Sequence, residues 1–187
     1  MTEVKVILGI DPGSTFTGFG IVNSDDGQIL HVTHGVIAPP ATLSFHDRLG
    51  IIAGELEALV ARVNPDQVVV ERIFLGKNAD SAFKLGHVRG VAVACGIRAG
   101  SEVVEYAARA VKKGITGSGA ATKEQVQLVL FAALGLQNHR ARFDASDALA
   151  LAFYHARNLQ VSARFARTED VNGKGRPSGG TENGVGL

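Results

Sequence analysis

At 187 residues, with 45% apolar and 20% charged side chains, the chain can bury one full core and has the composition of a soluble globular domain. Its single cysteine, Cys95, excludes an internal disulfide and any cysteine-rich zinc pattern, and no apolar run reaches the roughly 18 residues needed to span a membrane. The formal net charge of +1 hides an asymmetry. Residues 1–71 carry Lys5, Arg48 and Arg62 against nine acids, whereas residues 72–123 carry nine Lys/Arg against Asp80, Glu102 and Glu105. Such a division fits an anionic partner held on one side, or simply a solvated basic face. The N-terminus lacks the basic start and cleavage pattern of a secretory signal, so a cytoplasmic location is expected.

An apolar strand is predicted over residues 4–11, ending at Asp11 because a residue before proline is pushed into extended geometry. Residues 17–24 form a second strand, Asp25-Asp26-Gly27 marks a hairpin turn, and residues 29–37 return as a third. Pro39-Pro40 ends this antiparallel unit. Residues 43–63 carry Leu49, Ile52, Leu56, Leu59 and Val63 at helical spacing, and Asn64-Pro65-Asp66 stops the helix. Residues 67–71 form a short strand, parallel to the first because a helix crosses between them. A long helix follows from residue 78 to about 98, with a ridge of Ala82, Gly86, Gly90 and Ala94 that permits close approach of another helix. Residues 103–106 are a strand, 108–113 a short basic helix, 114–119 a glycine-rich loop. Thr122 is a plausible N-cap for a helix over 123–134, and the last helix covers 144–159. The fold class is therefore α/β, with three antiparallel and then two parallel strands in one mixed sheet flanked by helices. A domain over 1–160 is expected, followed by a flexible glycine-rich tail over 161–187, disordered from Thr168 onward.

The chemistry resides in four acids. Asp11 and Glu71 end neighbouring parallel strands, on the sheet edge where ligands sit in open α/β folds. Asp144 and Asp147, spaced i, i+3, share a helix face. Taken singly, each has a plain reading: a first-turn acid favoured by the helix dipole, or a hydrogen-bonded strand end. Taken together, the acids would repel strongly without a counter-charge. Hard oxygen donors of this kind suit Mg²⁺ or Mn²⁺, and a pair of such ions about 4 Å apart would clamp both oxygens of a phosphodiester displacement.

Four blocks in order, Gly9-Ile10-Asp11-Pro12-Gly13-Ser14 with Thr17-Gly18-Phe19-Gly20, Val70-Glu71-Arg72-Ile73-Phe74, the segment from Lys77 to Gly90, and Asp144-Ala145-Ser146-Asp147-Ala148-Leu149-Ala150, closely resemble the bacterial RuvC Holliday-junction resolvases. The likeness covers about residues 4–160. It implies a ribonuclease-H-like fold, a homodimer, and an endonuclease that resolves four-way junction DNA by paired symmetric nicks, leaving 5′-phosphate and 3′-hydroxyl ends. It further implies two Mg²⁺ or Mn²⁺ ions on Asp11, Glu71, Asp144 and Asp147, and partnership with the RuvA and RuvB branch-migration complex. By position, Phe74 corresponds to a loop aromatic that stacks on a base. Lys112 and Lys123 correspond to basic residues near the scissile phosphate, and Lys77 and Arg89 to further phosphate contacts. The loop Gly119-Ala120-Ala121-Thr122 lacks a basic residue that relatives often carry, so one phosphate contact is missing or supplied elsewhere. His87 and Val88 also depart from the family pattern. His155, i+8 from Asp147, is expected behind the site or at the surface, with direct access to the metal as the alternative. Two other functions remain open on sequence alone: a junction-binding module without turnover, and an actin-like nucleotide-binding domain, for which the chain is short.

Overall fold

The computed structural model describes residues 4–25, 27–72, 79–136 and 141–173, with side chains as far as residue 165. Its elements run β1 (Lys5–Asp11), β2 (Thr17–Ser24), β3 (Ile29–Ile37), α1 (Phe45–Val63), β4 (Gln67–Glu71), α2 (Ala79–Arg98), β5 (Glu102–Tyr106), α3 (Ala108–Thr116), α4 (Lys123–Ala133) and α5 (Phe143–Gly173). The strands form one sheet in the order β3-β2-β1-β4-β5. β1 pairs antiparallel with β2 and β2 with β3, while β4 lies parallel to β1 and β5 parallel to β4. This is the mixed sheet that the sequence predicts.

Alternation along the strands sorts the core into two layers. Ile7, Val22 and Val69 face one cluster, completed by residues of α3, α4 and α5. Leu8, Ile10, Ile21, Val68 and Val70 face the other, completed by Ile52 and Leu56 of α1 and Val88 and Ala92 of α2. Asp11 continues the alternate series Ile7, Gly9, and Glu71 continues the series from Val69. Both carboxylates therefore belong to the face that α5 covers.

Helix α5 lies unusually close to that face. Gly9 pairs with Gly20, and Asp11 with Gly18, across the β1–β2 ladder. A Cβ on Gly9 would enter the carbonyl oxygen of Ala148, one on Gly18 that of Asp144, and one on Gly20 the Cα of Leu149. The helix backbone thus rests directly on bare strand backbone, which only glycine permits.

Caps fix the helix ends. The Ser44 side chain accepts from the Asp47 N–H at the start of α1, and Asn64 ends it in the left-handed conformation. Thr122 caps α4 with a reciprocal bond from Gln125, the capping box that stabilises such a start.

Two predicted helix ends move by three residues or more. Helix α3 runs through Gly114 to Thr116 instead of stopping at Lys113. Gly114 is placed there by packing, since a Cβ would enter the Tyr154 ring, and buried Ile115 anchors the extra turn. Helix α5 continues past the predicted end at residue 159 to Gly173, six residues into the stretch read as disordered. Ala, Arg and Gln in this region propagate a helix without needing burial. Residues 174–187 of the predicted tail lie outside the described residues.

The glycine contacts give a paired expectation. Gly20→Ala should cost at least about 1–3 kcal/mol through overpacking against backbone that cannot yield. Gly54→Ala, in α1 with nothing near a new Cβ, should stabilise by about 0.5–1 kcal/mol. Chemical denaturation of both variants checks this, and equal effects would contradict the proposed close approach.

Candidate active site

Asp11 is delivered by β1 at the point where Pro12-Gly13 turns the chain. The turn is braced by Thr17, whose hydroxyl donates to the Gly13 carbonyl at 2.8 Å. Glu71 ends β4, one residue beyond the Ile10–Val70 pair, so the carboxylates are lateral neighbours. Burial pushes Asp11 up to about 8, the fields of Glu71 and Asp147 add to the shift, Lys123 opposes it and Asp144 contributes least. Glu71 is also raised, by burial first and then by Asp147, against Lys123, Lys112 and the Asp11 hydrogen bond.

Asp144 and Asp147 arrive from the first turns of α5, over Gly18 and its ladder partner Asp11. Each acid has a cation beside it. Lys123, the first residue of α4, forms an ion pair with Asp147. Burial works against the Lys123 ammonium, but the Asp147 hydrogen bond and the fields of Asp147, Asp11 and Asp144 outweigh it, and its pKa rises. Arg142 Nε stands 3.4 Å from Asp144 Oδ2. Lys112 of α3 donates to the Ala121 carbonyl at 2.9 Å. A cleft of about 150 Å³ opens beside Glu71 and Asp147, lined also by Lys112, Lys123, Val111 and Val126.

The structure therefore brings Asp11, Glu71, Asp144, Asp147, Lys112 and Lys123 together. Phe74 and Lys77 lie outside the described residues. Arg89 is on the opposite layer, in an ion pair with Glu105. Glu105 alternates with the Tyr106 that faces α5, so this pair is separated from the carboxylates by the sheet. His155 does not reach the acids. It is 4% exposed, its Nδ1 lies 2.8 Å from the Tyr106 hydroxyl, and its Nε2 lies 2.8 Å from Gln67 Oε1. Gln67 Nε2 donates to Glu102, so Gln67 Oε1 is the acceptor and His155 Nε2 carries the proton. Gln67 starts β4 and Glu71 ends it, and eight residues of helix, about 12 Å, separate His155 from Asp147. Burial lowers the His155 pKa, partly opposed by Glu102, so it is held as a neutral hydrogen-bonding residue.

Sequence reasoning passed over four contributors. Gly18 and Gly20 were read as ordinary strand residues, although small residues alternating on a strand signal close backbone approach. Arg142 and Phe16 were not singled out. The Arg142 guanidinium carbon lies 3.7 Å from the centre of the Phe16 ring.

The donor set fits a hard divalent cation: carboxylate oxygens only, with Asp11 and Glu71 raised by burial first and then by neighbouring acids. Among the described residues, no three acids, histidines or cysteines are already drawn to metal-binding spacing. Lys123 and Arg142 meanwhile hold the α5 acids as intramolecular counter-charges.

One consequence is a pH-dependent stability with a defined sign. A raised carboxyl pKa means the folded state keeps a proton that the unfolded chain has already lost. Metal-free protein should therefore lose stability as pH rises towards the Asp11 value of about 8. Between about pH 7 and 8 this is separate from His155, whose ordinary value of 6.5 lies below the window. Thermal melts in chelator should show a falling Tm across that window, with millimolar Mg²⁺ flattening it. A flat or rising Tm in chelator would contradict the site as described.

A family model for "Crossover junction endodeoxyribonuclease RuvC" matches residues 7–155. The crossover junction endodeoxyribonuclease RuvC of Bdellovibrio bacteriovorus is 50% identical over 162 residues, covering 87% of this chain and 96% of that relative. Among solved structures, Thermus thermophilus RuvC is similar with a TM-score of 0.75 and 29% identity, over 84% of this chain and 96% of that one. T. thermophilus RuvC in complex with Holliday junction substrate is similar with a TM-score of 0.77 and 30% identity, over the same shares of 84% and 96%. The five-stranded mixed sheet flanked by helices is accordingly the ribonuclease-H-like fold of these neighbours. The fold and the match over residues 7–155 agree, and the chain belongs to the crossover junction endodeoxyribonuclease RuvC family.

Proposed function

We propose that this chain is a metal-dependent endonuclease that resolves Holliday junctions by paired symmetric nicks in DNA recombination and repair. The observation that carries the reading is the convergence of Asp11, Glu71, Asp144 and Asp147 on one sheet edge, with Lys112 and Lys123 on the adjoining cleft. Family membership and the likeness to a structure holding a Holliday junction support the substrate.

Asp11, Glu71, Asp144 and Asp147 would hold Mg²⁺ or Mn²⁺, two ions per site. Bound there, the ions supply activation of the attacking water and stabilisation of charge on the departing 3′ oxygen. The protein's own contribution is positional. β1 and β4 set Asp11 and Glu71 side by side, and α5 lowers the other two acids onto them. Lys123, paired with Asp147 on the rim of the cleft, would meet a phosphate oxygen. Lys112, tethered at the Ala121 carbonyl, flanks the same cleft. The shell formed by Val111, Val126, Ala150 and Leu151 lowers the local dielectric and so strengthens these charge interactions. Phe74 and Lys77 are proposed as contacts to a base and a phosphate. Arg89, tied to Glu105 behind the sheet, is the least supported of the proposed DNA contacts.

We further propose that the active form is a homodimer that works with the RuvA and RuvB branch-migration complex. The face of α2 bearing Phe83, Gly86, Gly90, Ala94 and Ile97 supports the dimer. Phe83 is 71% and Ile97 62% exposed, and a Cβ at Gly86 or Gly90 would meet nothing within 4 Å. This is the predicted small-residue ridge, uncovered in the isolated chain. Light scattering should report a dimer at micromolar concentration, and a monomer there would count against the ridge as an interface.

The activity test is nicking of a synthetic four-way junction with Mg²⁺ or Mn²⁺. Asp11→Asn and Glu71→Gln should each lower the cleavage rate by about 100-fold or more while the fold is kept. Undiminished cleavage by either variant would remove that residue from the site, and no cleavage by the wild-type protein in either metal would overturn the nuclease reading.

A further inference from the structure

Arg142 sits in an unusual position for a cation. It immediately precedes α5 (Phe143–Gly173), and its carbonyl accepts the Ser146 N–H at 3.2 Å in the first helical turn. A positive side chain there opposes the helix dipole. The backbone around it is pinned from α4, because Gln127 Nε2 donates to the Ala141 carbonyl at 3.1 Å and to Ser146 Oγ at 3.0 Å. The guanidinium carbon in turn lies over the Phe16 ring, 3.7 Å from its centre. Phe16 belongs to the β1–β2 turn that carries Asp11. Anchored backbone and stacked head group together fix this charge at the rim of the acid site.

An arginine placed only to neutralise Asp144 would form a short, two-pronged pair with it. The contact here is a single Nε–Oδ2 distance of 3.4 Å, and the Arg142 side chain is 56% exposed. Among the described residues its two terminal nitrogens donate no hydrogen bond. Stacking on an aromatic face leaves the guanidinium edge open, which is the edge that meets a phosphate in a planar, bidentate manner. Lys112 and Lys123 flank the carboxylates from α3 and α4. Arg142, just before α5, stands beside Asp144 and the β1–β2 turn that carries Phe16. A DNA strand crossing the acids would then meet this guanidinium as well as the two lysines. The loop before α4, Gly119-Ala120-Ala121-Thr122, carries no cation of its own.

We propose that Arg142, packed over Phe16, is a DNA-phosphate contact of this active site, gripping the backbone beside Asp144. The inference rests on the nuclease reading above and adds to it a residue that sets substrate affinity. Phe16 is a positioning residue in this scheme, acting through the orientation of the guanidinium.

The test is binding of a synthetic four-way DNA junction to the full chain in EDTA, followed by fluorescence anisotropy over a range of salt concentrations. Arg142→Ala should weaken binding by about tenfold at low salt and reduce the slope of log K against log salt by about one. Arg142→Lys should restore the slope and only part of the affinity, because an ammonium stacks and bridges less well. Phe16→Ala should keep the slope and weaken binding by about threefold. In Mg²⁺, the loss for Arg142→Ala should fall on KM rather than kcat. Unchanged affinity and slope for Arg142→Ala would overturn the proposal. So would a loss confined to kcat at saturating junction, which would make Arg142 a support for Asp144 alone. Failure of the wild-type chain to bind the junction would instead overturn the nuclease reading itself, and this proposal with it.

Discussion

Carboxylate charge held at the inner edge of a sheet is the constraint on which the rest of this structure depends. Burial disfavours the ionised form of Asp11, and every neighbouring acid makes matters worse. A protein built for stability alone would place an apolar or hydrogen-bonding residue at this strand end. Instead three further acids are brought near it. Where no external cation is supplied, Lys123, Arg142 and a proton kept on Asp11 fill in. Each of these counter-charges is displaceable. A proton leaves at modest cost near neutral pH, a partly exposed lysine can swing, and a stacked arginine can re-aim its edge. The site is thus poised to exchange internal compensation for a metal and a phosphate.

What makes the convergence possible is backbone geometry more than side-chain chemistry. Ladder pairing sets Gly18 against Asp11 and Gly9 against Gly20, and the glycines remove the side chains that would hold α5 away. The helix then lies against β1 and β2 with its first turns over the Asp11 strand end. A displacement of about an ångström here would separate Asp144 and Asp147 from Asp11 and Glu71, a scale on which catalytic geometry is commonly lost. The two apolar layers, one per sheet face, keep that geometry by leaving the sheet little freedom to shift.

Much of this was legible in the sequence, for identifiable reasons. β2, β3 and β4 follow from apolar runs bounded by Asp-Gly, Pro-Pro and Asn-Pro signals, and their ends match the prediction. The paired strand-end acids follow from the same runs. The Thr122 cap was visible because a hydroxyl precedes a periodic segment with Gln three residues on. The failures share a cause. Gly114 looked like a loop glycine because its packing against Tyr154 is a tertiary contact. The glycines under α5 and the Arg142–Phe16 stack likewise depend on partners far away in sequence. His155 satisfied a helical-face rule towards Asp147, but helical rise carries it a dozen ångströms away to Gln67 and Tyr106. Arg89 was placed by motif, which does not say on which face of the sheet its side chain emerges. The extension of α5 to Gly173 was missed because helix propensity without burial leaves no periodic apolar signal.

The central claim is that the four acids form one cation site in which Lys123 stands on Asp147 until a metal arrives. Diffraction from crystals soaked in Mn²⁺, with the metal located by its anomalous scattering, tests this most directly. The account predicts manganese on Asp11 together with Glu71 and at least one of Asp144 and Asp147, with the Lys123 ammonium withdrawn from any acid that ligates. Manganese bound away from Asp11, or Lys123 still paired with an acid that ligates the metal, would contradict it.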